Sequence, residues 1–469
     1  MGRYLILILF LGFLGGWFVL RFDPFPTFTE GWVGQPEDLI PGQGPSSAID
    51  STLERLLFRS LFTYGPNGQI VPDLAESYTV SGGGRTYTVV LKEAVWRDGR
   101  SVSSADVAFT FKRDPAFADV VIKQEGERQI SFVLKEPLAP FLGILTRPIA
   151  PANFSNSRPE LLGNSNFAIS RVFQEGETVK ELRLKNLGTG RIKTLRFKFY
   201  PKELDLVEAA RLGEVDALSL SSFSDPSFRL YTTPTWSSYF AVFFNLESSN
   251  SLIRSRTFRK AAAFKTPVPE GEAAVNGPFS GTWAEENFNL PRFTDRAVGK
   301  FSGTLSLTVV DMGNFPVIAR RIAESWEREL GIQVKVREID SAAVDDVLAR
   351  RDFDAILLGQ AVERDPDRYN LWHSSQKDFP GQNISGYADP RADRALEEGR
   401  KAEKVTVRQV HYANFQRLFF ENQPAILVYH PNFFYWVNRK FTGIDLSPVF
   451  YPEERFWNFS DWELAFESR

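Results

Sequence analysis

The sequence contains no cysteine and only three histidines in 469 residues. The missing cysteines exclude disulfide bonds, thiolate metal sites, a cysteine nucleophile and a lipid attached to an N-terminal cysteine. The three histidines, His373, His411 and His430, are far apart along the chain and form no histidine-rich metal motif. We therefore expect neither a metal site nor a cofactor.

The chain also lacks an excess of charge of either sign. Its 55 Lys and Arg residues nearly balance 58 Asp and Glu residues, and the net charge is −3. Without a basic surplus there is no field to attract nucleic acid, so we expect no nucleic-acid partner. The hydrophobic content of 43% is typical of a folded globular protein, and the length is enough for several domains.

Motifs of common catalytic sites are missing as well. The sequence has no HExxH, no GxSxG, no GxxxxGK[ST], and no GxGxxG after a predicted strand. His430 lies in the apolar segment ILVYHPN, which indicates a core or rim histidine rather than a general base. We interpret His373 as structural or ligand-facing and His411 as a surface residue. We expect no catalytic residues and no enzymatic activity.

One apolar run is long enough to interact with a membrane. Residues 4–20 (YLILILFLGFLGGWFVL) carry no charge and are flanked by Arg3 and Arg21. About 17 residues is the short limit for a spanning helix, and no small-residue cleavage site follows. We expect an uncleaved signal anchor, with the rest of the chain outside the membrane in the periplasm or at the cell surface. A cleaved signal peptide remains the alternative.

Apolar periodicity predicts a first region of mixed structure after a linker at 23–48. A helix is expected over 51–62 with Ser51 as its cap, and a short helix is expected after Ser103. Alternating residues predict strands at Thr86–Leu91 and Arg128–Leu134, the first of them preceded by a glycine turn.

The second half alternates strands and helices, which is typical of a parallel sheet covered by helices. The predicted elements are the strand Thr304–Val310, the helix Phe315–Leu330 ended by Gly331, a strand after Ile332, a helix capped by Ser341, the central strand Phe353–Gly359, the helices Asp389–Lys404 and Val407–Glu421, and the apolar run Pro424–Tyr429.

Carboxylates cluster directly after the predicted central strand, at Glu363, Asp365 and Asp367. Loops at the carboxyl ends of parallel strands are where open α/β sheets bind ligands, so these groups are candidates to bind a cationic ligand group. The alternative is a solvated turn in which Arg364 and Arg368 balance the charge.

Several segments together resemble the family 5 extracellular solute-binding proteins, the dipeptide- and oligopeptide-binding components of ABC importers. The resemblance covers about residues 30–445. The matching segments, in the family's order, are 31–41 (GWVGQPEDLIP), 48–77 (AIDSTLERLLFRSLFTYGPNGQIVPDLAES), 85–111 (RTYTVVLKEAVWRDGRSVSSADVAFTF), 243–246 (FFNL) with 257–261 (TFRKA), 331–340 (GIQVKVREID), 350–359 (RRDFDAILLG) and 383–387 (NISGY).

The resemblance implies an α/β fold of the two-lobe periplasmic-binding-protein type II class, with a ligand cleft between lobes that close by hinge motion. After the signal anchor or signal peptide at 1–22, it also implies three parts of the chain. These are a first lobe 23–245 with a β-rich subdomain at about 60–155, a second lobe 246–425, and a return to the first lobe over 426–469.

The function implied by the resemblance is capture of peptides or similar small solutes and their delivery to an ABC permease with its ATPase subunits. We expect a monomer. The alternative is a membrane-tethered peptide sensor or chaperone on the same fold. A hydrolase is disfavoured because no nucleophile and base are recognised, and nickel or haem as ligand is disfavoured by the scattered histidines.

In peptide-binding members an aspartate after the strand with the D-x-x-x-x-G motif pairs with the peptide amine, and Glu363 occupies its place here. Segments that the resemblance places near the cleft supply further candidates, although each tryptophan also has an alternative role in packing, and core packing is favoured for Tyr369. The predicted ligand-binding residues are Glu363, Asp365, Tyr369, Trp372, Trp283, Trp32 and Asn245.

Overall fold

A computed structural model of the protein describes residues 26–37, 47–65, 68–153, 159–285, 299–447 and 449–465. Within these ranges no helix combines the length and the apolar character that crossing a membrane requires. Residues 4–20, for which the sequence predicts a membrane anchor, lie outside the described ranges.

The strands are numbered in chain order. They are β1 (Thr27–Val33), β2 (Phe62–Tyr64), β3 (Ile70–Pro72), β4 (Ala75–Ser81), β5 (Thr86–Leu91), β6 (Val121–Gln124), β7 (Gln129–Val133), β8 (Phe167–Glu175), β9 (Thr178–Asn186), β10 (Thr194–Tyr200), β11 (Ala217–Leu218), β12 (Phe228–Pro234), β13 (Ser238–Phe244), β14 (Ala273–Ala274), β15 (Thr304–Val310), β16 (Gln333–Ile339), β17 (Ala355–Ala361), β18 (Ala425–His430), β19 (Asn432–Asn438), β20 (Phe441–Thr442) and β21 (Glu463–Leu464).

The α-helices are numbered in the same way. They are α1 (Ala48–Leu57), α2 (Ser104–Lys112), α3 (Phe141–Ile144), α4 (Glu203–Arg211), α5 (Ser251–Arg254), α6 (Arg256–Lys265), α7 (Phe315–Leu330), α8 (Val344–Arg350), α9 (Tyr369–Trp372), α10 (Pro390–Lys401) and α11 (Val405–Asn422).

The first sheet has seven strands in the order β12-β19-β11-β1-β10-β9-β8. Its strand β1 pairs in parallel with both β10 and β11. Alternate residues of β10 are buried, as expected for a strand with one face on a core. Phe28 and Trp462 are fully buried against this sheet, with ring centroids 5.1 Å apart. The C-terminal segment is therefore part of the core around the first sheet.

A four-stranded antiparallel sheet, in the order β4-β5-β7-β6, packs into the same core. The predicted glycine turn joins β4 to β5, and Gly82, Gly83 and Gly84 all have positive φ. Glycine adopts this backbone conformation at little cost, so the predicted hairpin is confirmed. We call the seven-stranded and four-stranded sheets, with the elements packed on them, the first lobe.

The second lobe is built on a six-stranded sheet in the order β14-β18-β13-β17-β15-β16. Strand β15 pairs in parallel with β16 and with β17, which confirms the predicted β-α-β-α-β unit. Helix α7 has the predicted bounds and ends at Gly331, whose φ of 80° is left-handed. Its buried stripe includes Ile318, Ile322 and Trp326. The predicted central strand is the buried interior strand β17.

Two predicted helix starts are wrong. Helix α1 begins before Ser51, because Ser47 and Asp50 form a capping box in which the Ser47 hydroxyl oxygen accepts from the backbone N–H of Asp50. Before α8, the cap is Asp340, whose carboxylate accepts from the backbone N–H of Ala342 at 2.8 Å, and Ser341 opens a short 3-10 turn.

The chain crosses between the lobes at two neighbouring places. It leaves the seven-stranded sheet after Pro234 and enters the six-stranded sheet at Ser238. This crossing comes earlier in the chain than the boundary at 245 that the resemblance implies. It returns between His430 and Asn432. The backbone N–H of Thr235 donates to the carbonyl of Pro431 at 2.8 Å, so the two crossings are hydrogen-bonded to each other. Paired crossings of this kind are suited to a hinge.

Candidate ligand-binding site

The loop after β17 is fixed by two ion pairs with the helices that cover the second lobe. Asp365 receives two hydrogen bonds from Arg408 of α11, at 2.9 and 2.5 Å. Asp367 receives one from Arg400 of α10, at 2.9 Å. The Asp365 and Asp367 side chains are only 14% and 15% exposed. The interpretation of this loop as a solvated turn is therefore wrong.

Arg368 lies inside the same loop and is almost fully buried. Its guanidinium donates to backbone carbonyls, at 3.0 Å to Pro278 and at 2.7 Å to Asp365. Burial lowers the pKa of Arg368, and burial raises the pKa of Asp367. The loop is thus wrapped around a buried cation, which gives it a defined shape.

The first two polar residues of the loop contact the C-terminal segment that packs on both lobes. Glu363 accepts a hydrogen bond from the Tyr451 hydroxyl at 2.6 Å. Arg364 forms an ion pair with Glu454, and both side chains are at most 15% exposed. The Arg364 guanidinium also lies 4.7 Å from the ring centroid of Tyr64 in the first lobe. Burial raises the pKa of Tyr64 above its usual range.

A cavity of about 410 Å³ lies where this loop meets the first lobe. Its volume falls in the range of small-molecule sites, about 300–1,000 Å³. Its apolar lining residues include Leu56 at the end of α1, Phe58, and Val449 and Phe456 of the C-terminal segment. The charged lining residues are Arg55, Arg59, Asp73, Arg364, Glu453 and Glu454.

Two of the predicted site residues hold the second lobe together. Asn245 is buried, and its amide group donates to the carbonyls of Arg351 and Phe353 at 3.0 Å each. Trp372 is fully buried, and its ring stacks on Phe243 with centroids 6.0 Å apart. Their contacts are with the chain itself, and neither lines the cavity.

The other aromatic candidates are half-buried and pair with charged or polar groups. Tyr369 stacks on His373 with ring centroids 4.1 Å apart. The guanidinium of Arg408 lies 5.1 Å from the ring centroid of Trp283. Arg455 lies 5.0 Å from the Trp32 ring centroid in the first lobe. None of the three lines the cavity, and their roles in binding stay predictions.

Sequence reasoning missed the residues that line the cavity. Arg55 lies on an amphipathic helix, where a charged residue usually marks the solvent face. Glu453 and Glu454 follow the stretch over which the family resemblance extends, so no motif marked them. Arg364 was assigned only to balancing charge within its own loop. Their common site depends on long-range packing, which local patterns do not report.

Among the described residues no group of three or more metal-ligating side chains is close enough to hold a metal ion. His430 is fully buried, which agrees with its interpretation as a core or rim histidine. Its Nδ1 lies 2.7 Å from the carbonyl oxygen of Ser238 and donates to it.

Comparison with known proteins shows what the chain is similar to. A family model described as "Bacterial extracellular solute-binding proteins, family 5 Middle" matches residues 69–266. The oligopeptide-binding protein AppA of Bacillus subtilis is 20% identical over 93% of this chain and 91% of its own length. Di/tripeptide-binding protein 2 of Pseudomonas aeruginosa is 22% identical over 88% of this chain and 91% of its own length.

Solved structures share the fold across nearly the whole chain. AppA of Bacillus subtilis in complex with a nonapeptide has a TM-score of 0.67 at 19% identity, covering 94% of this chain and 99% of AppA. NikZ of Campylobacter jejuni in complex with Ni(L-His) has a TM-score of 0.70 at 20% identity, covering 93% of this chain and 99% of NikZ. Residues 69–266 are thus similar in sequence to the family 5 bacterial extracellular solute-binding proteins, and nearly the whole chain is similar in fold to these solved structures.

Proposed function

We propose that the protein is an extracytoplasmic solute-binding protein that captures short peptides between its two lobes and delivers them to an ABC import permease with its ATPase. The observation that carries the proposal is the cavity itself. It lies where the loop after β17 of the second lobe meets α1 and the C-terminal segment, and it is lined by cations and carboxylates together.

This position suits capture by closure. The lobes are connected by two hydrogen-bonded crossings, and the ion pair between Arg364 and Glu454 links the loop to the C-terminal segment. When lobes close on a ligand, water leaves the cavity and charge-assisted hydrogen bonds to the ligand become stronger. A carrier needs this reversible closure and needs no reacting group.

The finer parts of the proposal concern the predicted site and the anchor. Glu363 adjoins the cavity-lining Arg364 and is proposed to contact the ligand, whereas Asp365 is proposed to act by positioning the loop. We further propose that residues 4–20 anchor a monomeric carrier to the cell membrane, with the remaining chain in the periplasm or at the cell surface.

The test is the identity of what the protein carries. The full-length chain is purified without refolding and examined by native and then denaturing mass spectrometry. A series of short-peptide masses released on denaturation is the expected result. One discrete non-peptide mass would overturn the peptide class, and an empty protein that also fails to bind a mixture of dipeptides to pentapeptides in calorimetry would overturn the function.

A further inference from the structure

We infer that the outer face of strands β8 to β10 in the first lobe is a basic surface that lies on an anionic membrane. This inference rests on the proposed anchor at residues 4–20 and adds a second, electrostatic contact with the lipid. It follows from positive charge that neighbouring carboxylates balance only in part, and from the place where the described chain begins.

The positive charge is concentrated in one stretch of the sequence. Residues 167–200 carry eight Lys and Arg against three Glu, in a chain whose net charge is −3. They form strands β8, β9 and β10, which lie side by side at one end of the seven-stranded sheet. A surplus of this size within a slightly acidic chain gives the first lobe one positively charged side.

Three arginines form a row across these strands. Arg183 of β9 lies opposite Arg171 of β8 and also opposite Arg196 of β10. The guanidinium groups of Arg171 and Arg183 lie 4.2 and 5.0 Å from the ring centroid of Phe173, so both are on the same face of the sheet. Like charges directly opposite each other destabilise a sheet, so the stability of the fold does not explain the row.

Two lysines extend the row on the same face. Lys185 lies opposite Thr194, and Lys198 lies opposite Glu181. Lys198 forms an ion pair with Glu214 at 3.0 Å. Together with the three arginines, these lysines define the basic surface, which consists of Arg171, Arg183, Lys185, Arg196 and Lys198.

The carboxylate at the centre of the basic surface is shared between two arginines. Glu181 forms ion pairs with Arg183 and with Arg196, the latter at 3.7 Å. The buried Nε of Arg196 has no hydrogen-bond acceptor among the described residues. Arg171 and Lys185 are exposed and form no ion pair with a described residue. The basic surface therefore keeps a net positive charge that is open to solvent.

The described chain begins beside the basic surface. Pro26 is the first described residue, and the next residue, Thr27, opens β1 opposite Thr194 of β10. Arg196 lies two residues farther along β10, a distance of about 7 Å. From Leu20, where the predicted anchor ends, to Pro26 the chain spans at most about 20 Å. An anchor in the membrane therefore holds the basic surface within reach of the lipid headgroups.

An anionic lipid layer matches this surface in chemistry and in shape. Guanidinium groups bind phosphate oxygens through paired N–H···O bonds, and clustered Lys and Arg are attracted to a negatively charged membrane. The cations are spread over three neighbouring strands, about 10 Å from the first to the third, and do not converge on one point. Such a spread suits several headgroups side by side.

The experiment uses the full chain bound to lipid vesicles, and the absence of cysteine allows a single label. Ser170→Cys, at an exposed position next to Arg171, carries a fluorescent dye that a spin-labelled lipid headgroup quenches at the membrane surface. The vesicles contain phosphatidylcholine, alone or with about one third phosphatidylglycerol. We expect quenching to be at least about twofold stronger with phosphatidylglycerol. High salt should remove this difference, because it shortens the screening length from about 10 Å to about 3 Å.

A double variant tests the residues. Arg171→Gln with Lys185→Gln removes the two exposed cations and should lower quenching in phosphatidylglycerol vesicles to the level seen with phosphatidylcholine alone. The matched control is Arg113→Gln with Lys123→Gln, which removes two exposed cations near the four-stranded sheet and should keep the wild-type quenching. Unchanged urea unfolding shows that each variant is folded.

The outcomes distinguish this inference from the proposed anchor. If the chain binds both kinds of vesicle but quenching is equal in the two, or is unchanged in Arg171→Gln with Lys185→Gln, the inference is overturned and the anchor stands. If the chain binds neither kind of vesicle, the proposed anchor is contradicted and the inference with it, whereas the carrier function is still decided by the solute that the protein releases.

Discussion

At the scale of single residues, the most consequential contact in the first lobe is a fully buried ion pair between Glu30 and Arg455, whose exposed fractions are 2% and 1%. The Tyr435 hydroxyl donates to the same carboxylate at 2.6 Å. The Arg455 guanidinium also donates to the carbonyl of Pro452 at 3.0 Å, which fixes the segment that carries Glu453 and Glu454.

Arg455→Met is expected to destabilise the protein by about 3–5 kcal/mol, because it leaves the Glu30 carboxylate buried without its cation. Urea unfolding measures the change. The control is Lys135→Met, which breaks an ion pair with Asp119 whose two side chains are 70% and 77% exposed, and it should cost less than about 1 kcal/mol. Equal effects of the two substitutions would contradict the assignment.

A second residue-scale effect concerns His430, which is buried at the crossing between the lobes. Burial lowers the pKa of His430 below its ordinary 6.5. Below pH 6.5 the unfolded chain therefore binds a proton at this histidine more readily than the folded chain does. As a result, the free energy of unfolding decreases as the pH falls below 6.5 and increases as the pH rises toward it.

We expect His430 to contribute a loss of stability as the pH falls below 6.5, because burial disfavours its protonated form in the folded protein. The contribution is measured as the difference in pH dependence between the wild type and His430→Gln in denaturant unfolding. His411→Gln, a half-buried position on α11, should leave that dependence in place. A wild-type slope that survives in His430→Gln would place the titrating group elsewhere.

At the scale of elements, local patterns predicted what local interactions determine. The bounds of α7 and β15 follow from apolar periodicity and from the left-handed Gly331, all within one stretch of chain. Strands β8 to β10 were not predicted. Their place in the sheet depends on the pairing of β10 with β1, in which Thr194 lies opposite Thr27, more than 150 residues earlier in the chain. Such partners are set by the tertiary fold.

The acidic loop shows the same limit at the candidate site. The sequence located Asp365 after a central strand but left open whether it binds a ligand or completes a turn. In the structure, Asp365 forms an ion pair with Arg408, which no sequence pattern indicated. Arg408 lies on a helix about 40 residues later in the chain, and its side chain is 6% exposed. The pairing makes the loop an element anchored on two helices.

Asp365→Ala is therefore expected to destabilise the ligand-free protein by about 3–5 kcal/mol, since Arg408 is left buried without its carboxylate. Thermal or urea unfolding without ligand measures it. Asp311→Ala, at an exposed position after β15, is the control and should change stability by less than about 0.5 kcal/mol. A variant that loses peptide affinity at unchanged stability would instead assign Asp365 to ligand contact.

At the scale of the whole molecule, the candidate site combines segments that are remote in sequence. Its lining comes from α1 and the residues that follow it, from Thr146, Pro148 and residues 165–167, from Arg364 in the loop after β17, and from the C-terminal segment. The resemblance predicted a cleft between lobes, but it did not predict which charged side chains line it. That depends on how the C-terminal segment packs, and Phe450 packs with the second lobe while Phe456 packs with the first.

We expect the bridge between Arg364 and Glu454, which joins the loop after β17 to the C-terminal segment, to favour a closed arrangement of the lobes over an open one. Removing it costs the closed form a charge-assisted hydrogen bond, about 1.5–3 kcal/mol, whereas an open form in which both groups are hydrated loses little. Arg364→Ala should therefore raise the ratio of open to closed molecules by about tenfold or more in the absence of ligand.

The absence of cysteine makes this ratio directly measurable. Val121→Cys in the four-stranded sheet and Val317→Cys on α7 introduce two labelling sites in different lobes, at positions 55% and 44% exposed. Single-molecule energy transfer between the dyes should show a new low-efficiency population in Arg364→Ala without ligand, and added peptide should reduce it. Arg320→Ala, which breaks an exposed pair with Glu338 inside the second lobe, should leave the distribution unchanged. If Arg364→Ala also leaves it unchanged, the bridge does not control closure.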